Sequence, residues 1–140
     1  MNKEDKELLL RDLCGRLPYG VMVGYSTKDN PNTLDKIGKI IYVDIRFGMM
    51  QMQVESGISY GLPPSEFIKP YLRPMSSMTE EEDKEYWDID NRSYSCPMEY
   101  GHIPASERID WLNAHHFDYR GLLERGLAIK ITKENNPYEN

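Results

Sequence analysis

The sequence predicts an α+β fold: an N-terminal helix, a small antiparallel barrel or curled sheet, two to three C-terminal helices and a last short strand. Three observations carry this expectation. Apolar residues recur at three- and four-residue spacing near the N-terminus. Between about residues 20 and 72 they alternate in short runs separated by turn residues. After Pro74 the pattern returns to helical lengths. A chain of 140 residues and 16.4 kDa suits one domain with one core, residues 1–140. Its barrel-like part is placed at about 17–74, its helical part at about 75–131, and a loop or insertion at about 89–103.

The first helix is expected over residues 3–14. Asn2 stands at its N-cap, Glu4 and Asp5 suit its first turn, and Gly15 is placed to end it in the left-handed conformation. Leu9, Leu10, Leu13 and Cys14 make one apolar stripe, with Cys14 packing as a small hydrophobe. Residues 21–25 then read as a strand, followed by a turn over Lys28, Asp29, Asn30, Pro31 and Asn32. Beyond Gly38, Ile41, Val43 and Ile45 alternate as one buried face. Phe47-Gly48 turns the chain, and Met50, Met52 and Val54 alternate with Gln51 and Gln53 to complete a hairpin. Ser56-Gly57 turns it again into a fourth strand over 58–62.

The run Gly61-Leu62-Pro63-Pro64-Ser65-Glu66-Phe67-Ile68-Lys69 resembles the closing segment of an SH3 domain. In that segment Gly, an apolar residue, any residue, Pro, Ser, Asn, an aromatic and Val or Ile lead into the last strand. Glu66 stands where Asn is usual. The resemblance implies an SH3-like barrel, with the prolines at a corner and Phe67 and Ile68 returning to the core. It does not carry over proline-peptide binding, because the acidic aromatic segment and paired tryptophans of that groove are absent.

In the helical part, Ser77-Met78-Thr79-Glu80 reads as a capping box opening a helix to about Trp87, with Glu80, Glu81, Glu82 and Asp83 in its favourable first turn. Pro104 and Ser106 open a further helix to about His116. Asp118 caps a short helix over 119–125, Gly126 ends it, and residues 127–131 alternate as a final strand. The polar tail from Thr132 onward is expected to fray.

Net charge is −6, the isoelectric point about 5.1 and mean hydropathy −0.67. Residues 1–75 carry ten Lys and Arg against nine Asp and Glu; residues 76–140 carry seven against fourteen. That acidity disfavours nucleic-acid binding, which would have to use Lys28, Lys36, Lys39, Arg46 and Lys69 on one face. Two distant cysteines, Cys14 and Cys96, do not make a disulfide framework. No signal-peptide pattern and no span of the ~20 apolar residues needed to cross a bilayer is visible, so a cytoplasmic, non-membrane protein is expected.

No phosphate-loop, dinucleotide, nucleophile-elbow or paired-cysteine motif occurs, and no cofactor and no metal is assigned. The cluster His115-His116-Phe117-Asp118 invites an enzymatic reading, with His102 or Glu107 as a third ligand. Adjacent histidines on a helix diverge by about 100°, so they do not share one ion as an i, i+4 pair would. Cys96 lacks a nucleophile signature. Tyr60, Tyr71, Tyr86 and Trp87 offer an aromatic patch, and Met49, Met50 and Met52 either an adaptable face or core. The candidate binding residues are Tyr71, Trp87, Trp111, His115, His116, Asp118 and Tyr119.

Two stretches, Ile68-Lys69-Pro70-Tyr71-Leu72-Arg73-Pro74-Met75-Ser76-Ser77-Met78-Thr79-Glu80-Glu81-Glu82 and Trp111-Leu112-Asn113-Ala114-His115-His116-Phe117-Asp118-Tyr119-Arg120-Gly121-Leu122, together with residues 8–18, resemble a family of small uncharacterised proteins. Its members are carried by anaerobic gut bacteria and their phages. The resemblance covers about a third of the chain and implies a phage or mobile-element origin. The expected function is a non-enzymatic accessory protein that binds another protein, with homo-oligomerisation also open. Its alternatives are an enzyme using His115, His116 and Asp118, and a nucleic-acid-binding barrel.

Overall fold

The computed structural model describes residues 1–26, 34–62, 65, 68–95 and 104–139. Helix α1 spans Lys3–Arg16, and Asn2 caps it as expected, its Oδ1 accepting from the Asp5 N–H at 2.7 Å. The helix does not stop at Cys14. Gly15 stays helical, and the left-handed residue is Gly20 (φ 75°), which follows a 3₁₀ turn at Leu17–Tyr19. The reason lies one residue beyond Gly15. Arg16 is wholly buried, pairs with Asp12 one turn earlier and donates to the distant Phe117 carbonyl, so the last turn is held by a local ion pair and a tertiary hydrogen bond.

Strands β1 (Met22–Tyr25), β2 (Lys36–Asp44), β3 (Met49–Val54) and β4 (Gly57–Leu62) form an antiparallel meander, and β5 (Ile68–Pro74) returns to pair β1 antiparallel. Two short strands then add to β5 in parallel: β6 (Phe117–Asp118) beside Arg73 and Pro74, and β7 (Ile129–Lys130) beside Tyr71 and Leu72. The path is β4-β3-β2-β1-β5-β6, with β7 also on β5. The fold is therefore α+β, as expected. Of the barrel or curled sheet expected, the sheet does not close into a barrel; it is also mixed rather than antiparallel throughout. The sheet draws strands from both sides of Pro74, so that residue does not divide the structure into a barrel part and a helical part.

One face of the sheet and α1 build the core: Leu9 and Leu13 pack with Val21, Val23, Ile40, Met50 and Met52, joined by Ile68, Leu72, Leu122 and Leu127. The inward row of β2 is Gly38 and Ile40, correcting the expectation of Ile41, Val43 and Ile45. Ile41 and Ile45 are exposed and only Val43 is partly buried. Two local facts explain this. A bulge between Ile40 and Tyr42 inserts an extra residue into the ladder, so a strict two-residue period fails there. And the Met52 thioether lies over Gly38 so closely that an added Cβ would sit 2.5 Å from Met52 Cγ.

Helix α2 runs Glu80–Ser95, well beyond the expected end at Trp87, so residues 89–95 are helix rather than loop. Its capping box lies two residues later than expected. Thr79 Oγ1 accepts from the Glu82 N–H at 3.2 Å, and Glu82 Oε1 accepts from the Thr79 N–H at 3.0 Å. Ser77 instead closes a 3₁₀ turn, Met75–Ser77, by donating to the Pro74 carbonyl. Helix α3, Pro104–Ala114, begins at a proline as expected but ends before His115. The short helix over 119–125 is replaced by turns. Asp118 still caps them through the Leu122 and Leu123 N–H groups, and Gly126 (φ 71°) closes them. The tail is not frayed throughout, because Tyr138 docks on β1 and β5. The expected turn at 28–32, the Pro63-Pro64 and Glu66-Phe67 steps, and Cys96 and His102 lie outside the described residues.

Removing the Arg16 guanidinium deprives the buried Asp12 carboxylate of its hydrogen-bonded partner and leaves it only the longer Arg120 contact of 3.5 Å. Arg16→Met is expected to lower stability by about 3–5 kcal/mol, measured by urea denaturation. Asp12→Leu/Arg16→Met should recover most of that loss, because the uncompensated charge goes with its partner.

Candidate binding surfaces

The cluster singled out in the sequence is assembled by α1, α3 and β6, and its side chains are occupied with one another. Arg16 Nε donates to Asp12 Oδ2 at 2.7 Å and its Nη2 to the Phe117 carbonyl at 2.6 Å. Burial raises the Asp12 pKa, opposed by the neighbouring Arg16 and Arg120, whose Nε lies 3.5 Å from Asp12 Oδ1. Tyr119 lies beneath both guanidinium groups, at 5.1 and 5.2 Å, and donates its hydroxyl to Asn113 Oδ1 at 2.8 Å. Asn113 in turn donates to the Gly15 carbonyl. Asp118 is nearly buried, and its two oxygens accept from the Leu122 and Leu123 N–H groups at 3.0 and 2.9 Å.

The two histidines do not converge on Asp118. His115 stacks on Trp111 at 4.1 Å, and its Nδ1 lies 2.9 Å from the Trp111 carbonyl. His116 takes the left-handed conformation (φ 64°) that ends α3, with its carbonyl accepting from the Arg73 N–H at 2.8 Å. Its ring stacks on Tyr138 at 3.4 Å. Burial, aided by the charges of Arg16, His115 and Arg73, lowers its pKa to about 4. Among the described residues no group of three His, Cys, Asp or Glu is arranged to hold a metal ion.

Of the other candidates, Tyr71 is buried and its carbonyl accepts the Tyr138 hydroxyl at 3.0 Å. The same hydroxyl accepts from the Met22 N–H at 3.0 Å, and burial pushes its pKa up to about 12. Trp111 packs between His115 and Phe117 and donates to Glu85. Trp87 alone of the seven candidates is largely open, at 53% exposure. Of the aromatic patch, Tyr71 is thus core and Tyr86 half-buried, while the Tyr60 side chain lies outside the described residues. Met50 and Met52 are core, and Met49 borders a shallow recess of about 110 Å³ with Tyr42, Asp44 and Gln51.

The open surfaces lie elsewhere. On the solvent side of β2–β4, Ile37, Ile41, Tyr42 and Ile58 are exposed, and the β2–β3 turn adds Ile45 at 74% and Phe47 at 73%. Register places them together: Ile58 and Lys39 both pair Gln53, and Tyr42 pairs Gln51. A second feature is a groove of about 390 Å³ between the 3₁₀ turn and the start of α2. Alternation misread the first surface because of the bulge. Of the groove's residues, Tyr86 and Trp87 stand in the sequence as part of a candidate aromatic patch, the acidic run is explained there by capping, and Met75 and Met78 carry no signal of their own.

Lys28 lies outside the described residues, and the basic side chains of β2 do not share one face. Lys36 and Lys39 are three apart on β2 and so point to opposite faces, and Arg46 is paired with Asp44 at 3.0 Å. No described helix is long and apolar enough to cross a membrane. No family model matches this chain, and no curated protein or solved structure is significantly similar to it.

The His116 geometry sets a pH dependence. Its folded pKa of about 4 lies below the unfolded 6.5, so the unfolded chain binds more protons between those values. Stability from this group is full above pH 6.5 and is lost as pH falls toward 4. Glu82, held down to about 2 by Arg73, loses its contribution only below its ordinary 4.5. His116→Asn, which tolerates the left-handed backbone, is expected to flatten the slope of stability between pH 6.5 and 4 in thermal melts.

Proposed function

We propose that this chain is a non-enzymatic protein-interaction protein that docks a partner on the outer face of β2, β3 and β4. The observation that supports it best is the clustering of exposed large apolar side chains. Of the ten among the described residues, six (Ile37, Ile41, Tyr42, Ile45, Phe47 and Ile58) lie on these two hairpins. Water contact with these exposed apolar side chains is unfavourable, and covering them with a partner's apolar surface stabilises the complex. Phe47 and Ile45 at the turn are the most exposed of the six and suit the role of anchors in a partner's pocket. Gln51 and Gln53, interleaved on the same face, supply polar contacts that fix register. An accessory role in a phage or mobile element fits this reading, and the support for that origin is the resemblance of the two motifs at 68–82 and 111–122.

Neither alternative draws comparable support. Asp118 and His116 are bound into the fold by the contacts given above, and the basic residues of β2 divide between two faces.

The double variant Ile45→Glu/Phe47→Glu changes exposed side chains, so its unfolding midpoint should stay within about 0.5 kcal/mol of the parent in free energy. A tagged pull-down from host lysate is expected to return a stoichiometric, nuclease-resistant protein that the double variant loses. If the partner is a second copy of this chain, sedimentation will show a concentration-dependent dimer that the same variant abolishes. A captured set that is indifferent to the double variant, with a monomer at all concentrations, would sink the proposal.

A further inference from the structure

We propose that the groove between the 3₁₀ turn Met75–Ser77 and the first two turns of α2 binds an arginine-bearing segment of a partner protein. This site lies apart from the β2–β4 face and stands on different residues, so either reading survives failure of the other.

The groove is a built feature. Arg73 reaches from β5 to hold Glu82 through two hydrogen bonds of 2.6 and 2.7 Å, and its Nη2 also donates to the Ser77 carbonyl. With the Thr79–Glu82 capping box, these bonds fix the turn against the helix and leave a cavity of about 390 Å³ between them. That volume is within the range of formed ligand sites. Met75 and Met78 line one side; Glu80, Asp83, Tyr86 and Trp87 line the other at the spacing of one helix face.

The lining chemistry selects the occupant. Trp87 is 53% exposed and meets Tyr86 edge to face at 6.1 Å, leaving open indole surface for a cation. Glu80 and Asp83 are exposed, and among the described residues neither is in an ion pair, whereas the Glu82 carboxylate is taken up by Arg73 and Thr79. A positive helix end would by itself repel a cation, but it amounts to about half a unit charge. Glu80, Glu81 and Asp83 outweigh it. A guanidinium is planar and weakly hydrated, stacks on aromatic rings and bonds carboxylates by its fork, which matches rings and acids side by side better than an ammonium does. The two methionines adapt to an aliphatic neighbour on the same segment. Net acidity over residues 76–140, seven basic against fourteen acidic, draws such a segment in.

The probe is a fluorescein-labelled hexapeptide of alternating arginine and leucine, titrated with the full chain and read by anisotropy at low and high salt. Saturable binding is expected, weakening at high salt as exposed charges are screened. The same peptide with glutamine in place of arginine should bind at least about tenfold more weakly, and Trp87→Ala should weaken binding of the arginine peptide about two- to thirtyfold. Glu80→Gln/Asp83→Asn should weaken it at low salt and blunt the salt dependence, whereas Ile45→Glu/Phe47→Glu should leave it unchanged. These substitutions are at exposed positions, and far-UV circular dichroism verifies that each variant is folded. Absence of binding by the parent chain overturns the proposal. So does equal binding of the glutamine peptide, or parent-like affinity in both groove variants.

Discussion

The rest of the structure depends on the burial of one charged side chain, Arg16. Its guanidinium lies where α1, the end of α3 and β6 meet, wholly out of water, with Asp12 on one edge and the Phe117 carbonyl on another. Taking two charges out of water costs several kcal/mol per ion, repaid only by close geometry and further hydrogen bonds. The return here is specificity. A carbonyl 101 residues away in sequence is held at 2.6 Å, which fixes where Phe117 and Asp118 lie along β5. A second bond, from the Arg73 N–H to the His116 carbonyl, then requires the chain to leave α3 through a left-handed residue.

That constraint explains why two adjacent histidines beside an aspartate are structural here. A short parallel strand must follow α3 immediately, so each polar side chain in the junction is recruited to a backbone group or a ring. Asp118 serves two N–H groups, His115 lies by the Trp111 carbonyl, and His116 is stacked beneath Tyr138. A catalytic histidine needs an open ring nitrogen near a substrate and a pKa near the working pH. His116 has its pKa driven to about 4 by burial and by cations on neighbouring elements. Its electrostatics favour a neutral ring that packs.

Much of the fold was legible where local chemistry decides structure. The Asn2 cap, the hairpin turn at Gly48 and the inward Met50 and Met52 follow from periodicity and backbone preference. What was not legible came from contacts distant in sequence. The parallel β6 and β7 are two residues each, too short to leave a pattern, and exist because β5 offers them partners. The inward face of β2 is set by Met52 lying over Gly38, and the bulge hides it from a period-two reading. Tyr138 docks by a hydroxyl that bridges β1 and β5, a bond that no tail composition announces. The buried Arg16 had one local sign, an acid four residues earlier on the same face of α1, but nothing local announced its bond to the Phe117 carbonyl. Of the candidate binding residues, only Trp87 belongs to an open surface, because exposure depends on what packs above a residue.

Arg73 links the two halves of this arrangement. Its backbone is paired with β6, and its guanidinium lies 4.2 Å from the Phe117 ring centroid while gripping Glu82 at the start of α2. One side chain thus ties the buried junction around Arg16 to the wall of the groove. The consequence is mechanical. The 3₁₀ turn and α2 cannot separate without breaking a charge-assisted pair that is largely shielded from water, with side-chain exposures of 23% and 17%. A groove held in that way keeps its shape before any ligand arrives, and a preformed site loses less conformational entropy on binding than one that must be assembled. The apolar face of β2–β4 sits at the other end of the sheet path, on hairpins whose interior is packed by Met50 and Met52. Rigid support beneath two surfaces of different chemistry, one apolar and one aromatic and acidic, is what the two proposed docking roles require.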